Sequence, residues 1–244
     1  MSDRAVSDLV AFVLTFAIII ASVGTVYALG FGSLADLQGN EQVNSADRTM
    51  QGVASAMADV HREGVPGRSI TIGLDKGSLR TADSQLIIET DAGGTETIDI
   101  GALVIDPPES DRHVAYEGGL SYRAGMNGGV FTQYSPSITC TGNVTVIDLI
   151  KLKGQISTSV PNSLELKMER RTSTLRYPNV TAGEQPQEAS SVEINVSQTR
   201  RPDAWSQYFE VSGDPWTETD DGYECSGVNT VYVRVTVVEL STTF

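Results

Sequence analysis

With 244 residues the chain has room for an apolar anchor and one globular domain of about 180 residues. Its formal net charge is −14, from 31 acidic and 17 basic residues, and a surface of that sign repels nucleic acid and anionic lipid headgroups, which excludes nucleic acid as a partner. Four of the basic residues are Lys and the rest Arg; acid excess with scarce Lys matches proteins that work in molar salt, where the Debye length falls to about 3 Å.

Behind the short polar stretch MSDRAVSD, residues 9–31 run for 23 positions without a charge. About 20 apolar residues at 1.5 Å rise cross a ~30 Å hydrocarbon core, so the segment predicts a transmembrane helix. A secretory signal peptide is the competing reading, with Ala21-Ser22-Val23-Gly24 resembling a cleavage site, but its apolar region runs only about 7–15 residues. Ala17, Ala21, Gly24 and Ala28, spaced 4, 3 and 4, form a stripe of small residues along which a second apolar helix can approach closely.

The helical pattern does not stop with the apolar run. Val43, Ala46, Met50, Val53, Met57 and Val60 are spaced 3, 4, 3, 4 and 3, a heptad seam with polar residues on the other faces. Two roles fit it: packing on the chain's own C-terminal domain, or self-association of helices. Gly64 as cap and Pro66 as stop close a helix predicted over 6–64, with the apolar anchor at 9–31 and an amphipathic extension over 33–63. Gly30, Gly32, Gly39 and Gly52 each weaken it by about 1 kcal/mol relative to Ala and predict bends, or a break near 30–32.

From residue 65 onward short β runs separated by turn residues replace the helical period. Strands are predicted over 69–74, 85–89, 97–105, 130–134, 143–156, 163–168, 191–196 and 230–240. Leu164, Leu166 and Met168 share one face of their strand, as do Val231, Val233, Val235 and Val237 of the last. Asp91-Ala92-Gly93-Gly94 and Asn127-Gly128-Gly129 are hairpin signals, and the residues around Pro107-Pro108 form a rigid acidic turn. Residues 202–209 read as a short helix whose Trp205, Tyr208 and Phe209 cap a core. The fold class is therefore α+β: a long N-terminal α-helix, then an antiparallel β-sheet or sandwich over 65–244.

Three Asn-x-Ser/Thr sequons, at Asn143, Asn179 and Asn195, follow the apolar segment and imply an exported, glycosylated face. Cys140 and Cys225, the only cysteines, lie on the same side and are expected to form a disulfide. With two histidines and no Gly-x-Ser-x-Gly, His-Glu-x-x-His or phosphate-loop motif, no catalytic constellation is expected, and no cofactor. His61 is placed to stabilise the helix C-terminus as an imidazolium, and His113, beside the acidic turn, to orient a carboxylate. The acidic run Asp214, Glu218, Asp220, Asp221 and Glu224 supplies oxygen ligands suited to Ca²⁺ but lacks the spacing of a calcium loop, so a solvated face is expected there and no metal.

Asp3-Arg4-Ala5-Val6-Ser7, directly before the apolar run, resembles the processing site of archaeal type IV pilins, a D-x-A-V-S-P-like pattern ahead of a hydrophobic helix. The similarity covers residues 3–35, with Asp8 and Ala11 where Pro and Gly are usual. It implies a leader peptide of residues 1–5 cut by a prepilin peptidase between Ala5 and Val6, leaving the apolar helix in the mature protein. Residues 41–64 with the β tail look like a large set of haloarchaeal surface proteins built on the same plan, which implies a pilin-like architecture and no activity. Taken together, the resemblance implies a membrane protein with its C-terminal domain outside the cell. Its partners would be copies of itself or other pilin-like subunits in a surface filament; the rival expectation is a single-pass adhesin or receptor that does not polymerise.

Overall fold

The structure, a computed structural model, describes residues 3–73, 77–108, 110–125, 128–160, 163–178 and 189–243, apart from the side chains of 3–8, 29–38 and 160. The chain divides into two units, Met1–Glu41 and Gln42–Phe244. Helix α1 (Asp3–Arg62) is continuous in secondary structure, so the break expected near Gly30 and Gly32 is absent. Glycine costs a helix about 1 kcal/mol but removes no backbone hydrogen bond, and the flanking turns propagate through it.

Three sheets follow among the described residues. The first contains β1 (Gly67–Ile72), β9 (Ser137–Cys140), β10 (Val144–Lys153), β12 (Leu164–Tyr177) and β16 (Thr230–Thr243), in the order β1-β12-β16-β10-β9. The second contains β2 (Gly77–Ala82), β5 (Ala102–Asp106), β6 (Arg112–Glu117), β7 (Leu120–Gly125), β8 (Val130–Tyr134) and β11 (Ser157–Val160), in the order β11-β2-β5-β6-β7-β8. The third contains β3 (Gln85–Thr90), β4 (Thr95–Asp99), β13 (Ser191–Asn195), β14 (Thr217–Glu218) and β15 (Gly222–Ser226), in the order β14-β15-β13-β3-β4. Pairing is antiparallel but for β10 and β16, which run parallel with Val144 opposite Thr230. The long intervening chain makes that crossover possible.

Two details correct the sequence reading. Residues 97–105 form two strands in different sheets, because Gly101 takes φ 64° and turns the chain between β4 and β5. In β16 Val231, Val233 and Val235 are buried as expected, but Val238 and Leu240 replace Val237 on the inside. Opposite that point the register of β12 slips between Arg170 and Thr172, a bulge that lets the long β12–β16 pair pass from one core to another.

Those cores are distinct. One joins the seam of α1 to Ile72, Leu103, Ile105, Ile150, Leu166 and Leu240; the other joins Ala102, Val104, Ile147, Val233, Val192 and α2 (Pro202–Val211). Neighbouring residues of β5 go to different cores, so the second sheet is covered on both faces. In α2, Trp205, Tyr208 and Phe209 are buried as predicted, with Phe209 stacked 4.6 Å from Tyr223. Trp205 lies over Gly118 in the β6–β7 turn, where an added Cβ would come within 3.1 Å of its ring.

Candidate membrane and assembly surface

Within α1, residues Leu9–Ala28 have a mean hydropathy of 2.6, and none is buried. Twenty residues of helix span about 30 Å, the hydrocarbon thickness, so the helix is long and apolar enough to cross a membrane. Three of its hydroxyls bond back to the helix: Thr15 and Thr25 donate to the carbonyls of Ala11 and Ala21 at 2.8 Å, and Ser22 to that of Ile19 at 2.8 Å. Back-bonding of this kind satisfies these three hydroxyls within the helix itself. Ala17, Ala21, Gly24 and Ala28 are all exposed, and a Cβ at Gly24 would meet nothing within 4 Å. The side chains of Ala5 and Val6, the expected processing site, lie outside the described residues.

The seam has a different fate. Val43, Ala46, Met50, Val53, Met57 and Val60 are buried to within 1% of full exclusion, and from Ala46 onward they pack against the first two sheets of the same unit. Of the two roles open to the seam, the structure shows packing on the chain's own β domain. Arg123 of β7 fixes the register from the side, donating Nη1 to Asp47 Oδ2 at 2.8 Å while its guanidinium lies 5.6 Å from the Phe131 ring centre. At the far end His61 sits with Nδ1 2.9 Å from Thr236 Oγ1 and Nε2 3.8 Å from Asp148, whose carboxylate is held by Arg234 through two bonds of 2.7 and 2.9 Å. Burial outweighs the attraction of Asp148 and pushes the imidazole pKa below its ordinary value, which corrects the expected imidazolium.

A family model, described as a family of unknown function, DUF7289, covers residues 4–243. The chain belongs to the DUF7289 family. Apolar helix and β-rich unit both fall inside the match, so the DUF7289 plan includes the two together and assigns them no activity. Neither curated proteins nor solved structures give a match.

The remaining sites of this DUF7289 chain are spread over its β-rich unit. Cys140 and Cys225 form a disulfide with Cα atoms 6.0 Å apart, tying β9 of the first sheet to β15 of the third. Asn143 is exposed and accepts from Asn229 Nδ2 at 2.6 Å, while its sequon hydroxyl on Thr145 is buried against Cys225 Sγ. Asn195 is half-buried and its Oδ1 accepts from the N–H and hydroxyl of Ser197 at 2.9 and 2.7 Å; Asn179 lies outside the described residues. Asp214 caps the N–H of Cys140 at 3.0 Å, and among the described residues no group of three or more His, Cys, Asp or Glu converges to hold a metal, the run through Glu218, Asp220, Asp221 and Glu224 included.

His113 orients no carboxylate, contrary to expectation: its ring lies edge-on to Tyr122 with centroids 6.5 Å apart, and Nε2 is buried without a partner. Burial, reinforced by Arg200, keeps that imidazole neutral-leaning, with its pKa lowered. Sequence reasoning passed over Glu117, which is wholly buried and accepts from Trp205 Nε1 at 2.8 Å. Burial pushes its carboxyl pKa up. The only signal was a carboxylate immediately before Gly118-Gly119, a hairpin turn that carries its flanking residues into the sheet.

Proposed function

We propose that the protein is a structural subunit or minor component of an archaeal type IV pilus-like surface filament. A prepilin peptidase cuts between Ala5 and Val6, the apolar helix resides in the membrane with the β-rich unit outside the cell, and helices of neighbouring pilin-like subunits replace lipid on assembly. The observation that carries this reading is the surface of residues 9–28, exposed along its length, without a charge, and with the hydroxyls of Thr15, Ser22 and Thr25 bonded to their own helix. Such a surface is equally at home in lipid and against other apolar helices, the exchange that a filament built from membrane-stored subunits needs. The disulfide and an acidic, glycosylated outer face at Asn143, Asn179 and Asn195 belong to the same reading, and no enzymatic step does.

A second reading has its own support. Because the seam from Val43 to Val60 is consumed within one subunit, only the membrane segment remains for helix-to-helix contact, which favours a single-pass adhesin or receptor that never polymerises. Shearing cells and sedimenting the released material, with micrographs labelled for this protein, separates the two. Labelled filaments in the sheared pellet are the expected result; label confined to the membrane fraction would establish the second reading instead.

A further inference from the structure

The last turn of α1 is fastened to the first sheet by a chain of side chains that ends in a buried imidazole. Ser173 Oγ of β12 lies 3.0 Å from Thr236 Oγ1 of β16, and that hydroxyl lies 2.9 Å from His61 Nδ1. Ser173 is exposed and Thr236 wholly buried, so the chain runs from the surface inward. With the ring neutral and its proton on Nε2, each bond has one donor: Ser173 gives to Thr236, and Thr236 gives to Nδ1.

A second proton on that ring has little to meet. The His61 side chain is 4% exposed, and the crevice beside it, lined by Arg62, Tyr116, Tyr134 and Asp148 among others, holds about 10 Å³, room for one water at most. An imidazolium there gives up nearly all of its hydration. Asp148 of β10 faces it with Oδ2 3.8 Å from Nε2, but both carboxylate oxygens already accept from Arg234 of β16, at 2.7 and 2.9 Å. Arg62 follows in α1, its guanidinium held by the uncharged Ser137 hydroxyl of β9 at 2.7 and 3.0 Å. Protonation therefore sets three cations against one anion. It also turns the hydroxyl chain round, because Nδ1–H must then donate to Thr236 and Thr236 to Ser173. Asp148 and the helix C-terminus favour the charged ring. Burial opposes it first, with Arg234 and Arg62 behind, and holds the imidazole pKa below its ordinary 6.5.

We propose that His61 is an acid-sensitive latch: neutral, it locks the last turn of α1 to the first sheet, and on protonation it leaves its crevice and frees that turn. The latch lies wholly within the unit Gln42–Phe244 and does not depend on filament assembly. A base whose folded pKa lies below its unfolded value stabilises the closed state above pH 6.5. That stability is lost as pH falls from 6.5 through the folded pKa, by up to about tenfold in the opening constant per pH unit.

The test is hydrogen–deuterium exchange of the full chain in detergent at about pH 7.5 and about pH 5.5, with rates corrected for intrinsic exchange. Protection of residues 57–63 falls severalfold at the lower pH. In His61→Gln, whose amide can accept from Thr236 and takes up no proton, protection is the same at both. His113→Gln, which removes the other of the two histidines, leaves the fall in place. Equal protection at both pH values in the parent, or the same fall in His61→Gln, overturns the latch. Should His61→Gln not fold, a carbon-13 NMR titration of the parent's histidine rings decides, the signal that His113→Gln retains being His61. A His61 midpoint below 6.5 is the expected result, and one at or above 6.5 overturns the proposal.

Discussion

Glu117 shows what a single buried carboxyl contributes when desolvation is the largest influence on it. It accepts from Trp205 Nε1, and burial outweighs that bond and the polar groups of Ser84 and Arg200, so the ionised form carries a net desolvation cost. A carboxyl whose folded pKa is raised keeps its proton longer in the folded state. Stability from this group is therefore greatest below the unfolded value of 4.5 and is lost as pH rises through the folded pKa, by up to ~1.4 kcal/mol per pH unit. Glu117→Gln retains an acceptor for Trp205 and has no proton to lose. Denaturant unfolding at a series of pH values from 4.5 upward should show the variant gaining on the parent as pH rises, and parallel profiles would show that Glu117 does not titrate differently on folding.

At the scale of elements, β8 is an edge strand, and Gln207 of α2 closes it. Its Oε1 accepts from the Thr132 N–H at 2.9 Å and its Nε2 donates to Val130 O at 3.2 Å, so one side-chain amide stands where a further strand would pair. Gln207→Ala should cost about 1–2 kcal/mol in urea unfolding and accelerate hydrogen exchange at the Thr132 amide; unchanged exchange would mean that the cap is incidental. Met50 lies wholly buried in the seam, and Met50→Ala should cost ~2–5 kcal/mol through the cavity it leaves. The same variant should leave filament yield per folded subunit unchanged, since the seam faces its own domain. Loss of filaments from a folded Met50→Ala protein would mean that the seam also contacts other subunits.

These elements also show where the sequence spoke clearly. The seam was legible because six apolar positions repeat at one period with polar residues between them, and α2 because Trp205, Tyr208 and Phe209 share a helical face. Strands β2, β6, β7, β9, β11, β14 and β15 were passed over. In β6 and β7 most residues are buried whichever way they point, so RHVAYE and LSYRAG show no alternation for a reader to follow. The opposite error joined β4 to β5, because the alternation of TIDI runs straight into the apolar ALVI and only Gly101 marks the turn. A cleft beside Asp99 left no trace in the sequence, since its wall joins Gln85 and Asp99 of the β3–β4 pair to Lys151 far along the chain in β10. The exposed stripe on the apolar helix was readable in full, because it depends on spacing along one element alone.

For the whole molecule, the Cys140–Cys225 bond spans a sequence separation of 85 and closes a loop worth roughly 4 kcal/mol in the chain-entropy account. Replacing both cysteines with Ala should lower stability by about that amount without altering the helix, and an unchanged unfolding midpoint would show that packing between the first and third sheets suffices alone. The central claim concerns the other unit. If residues 9–28 only span lipid, hydrophobicity is all they must supply, and added bulk on the small-residue stripe is harmless; if they pack against copies of themselves, Ala21 and Gly24 lie where backbones meet. The decisive measurement is the ratio of sheared filament to membrane-embedded protein for Ala21→Leu and Gly24→Leu. Assembly through this stripe predicts that the filament fraction collapses while membrane insertion persists. Filaments at normal yield from both variants would contradict it and leave the single-pass surface protein as the better account.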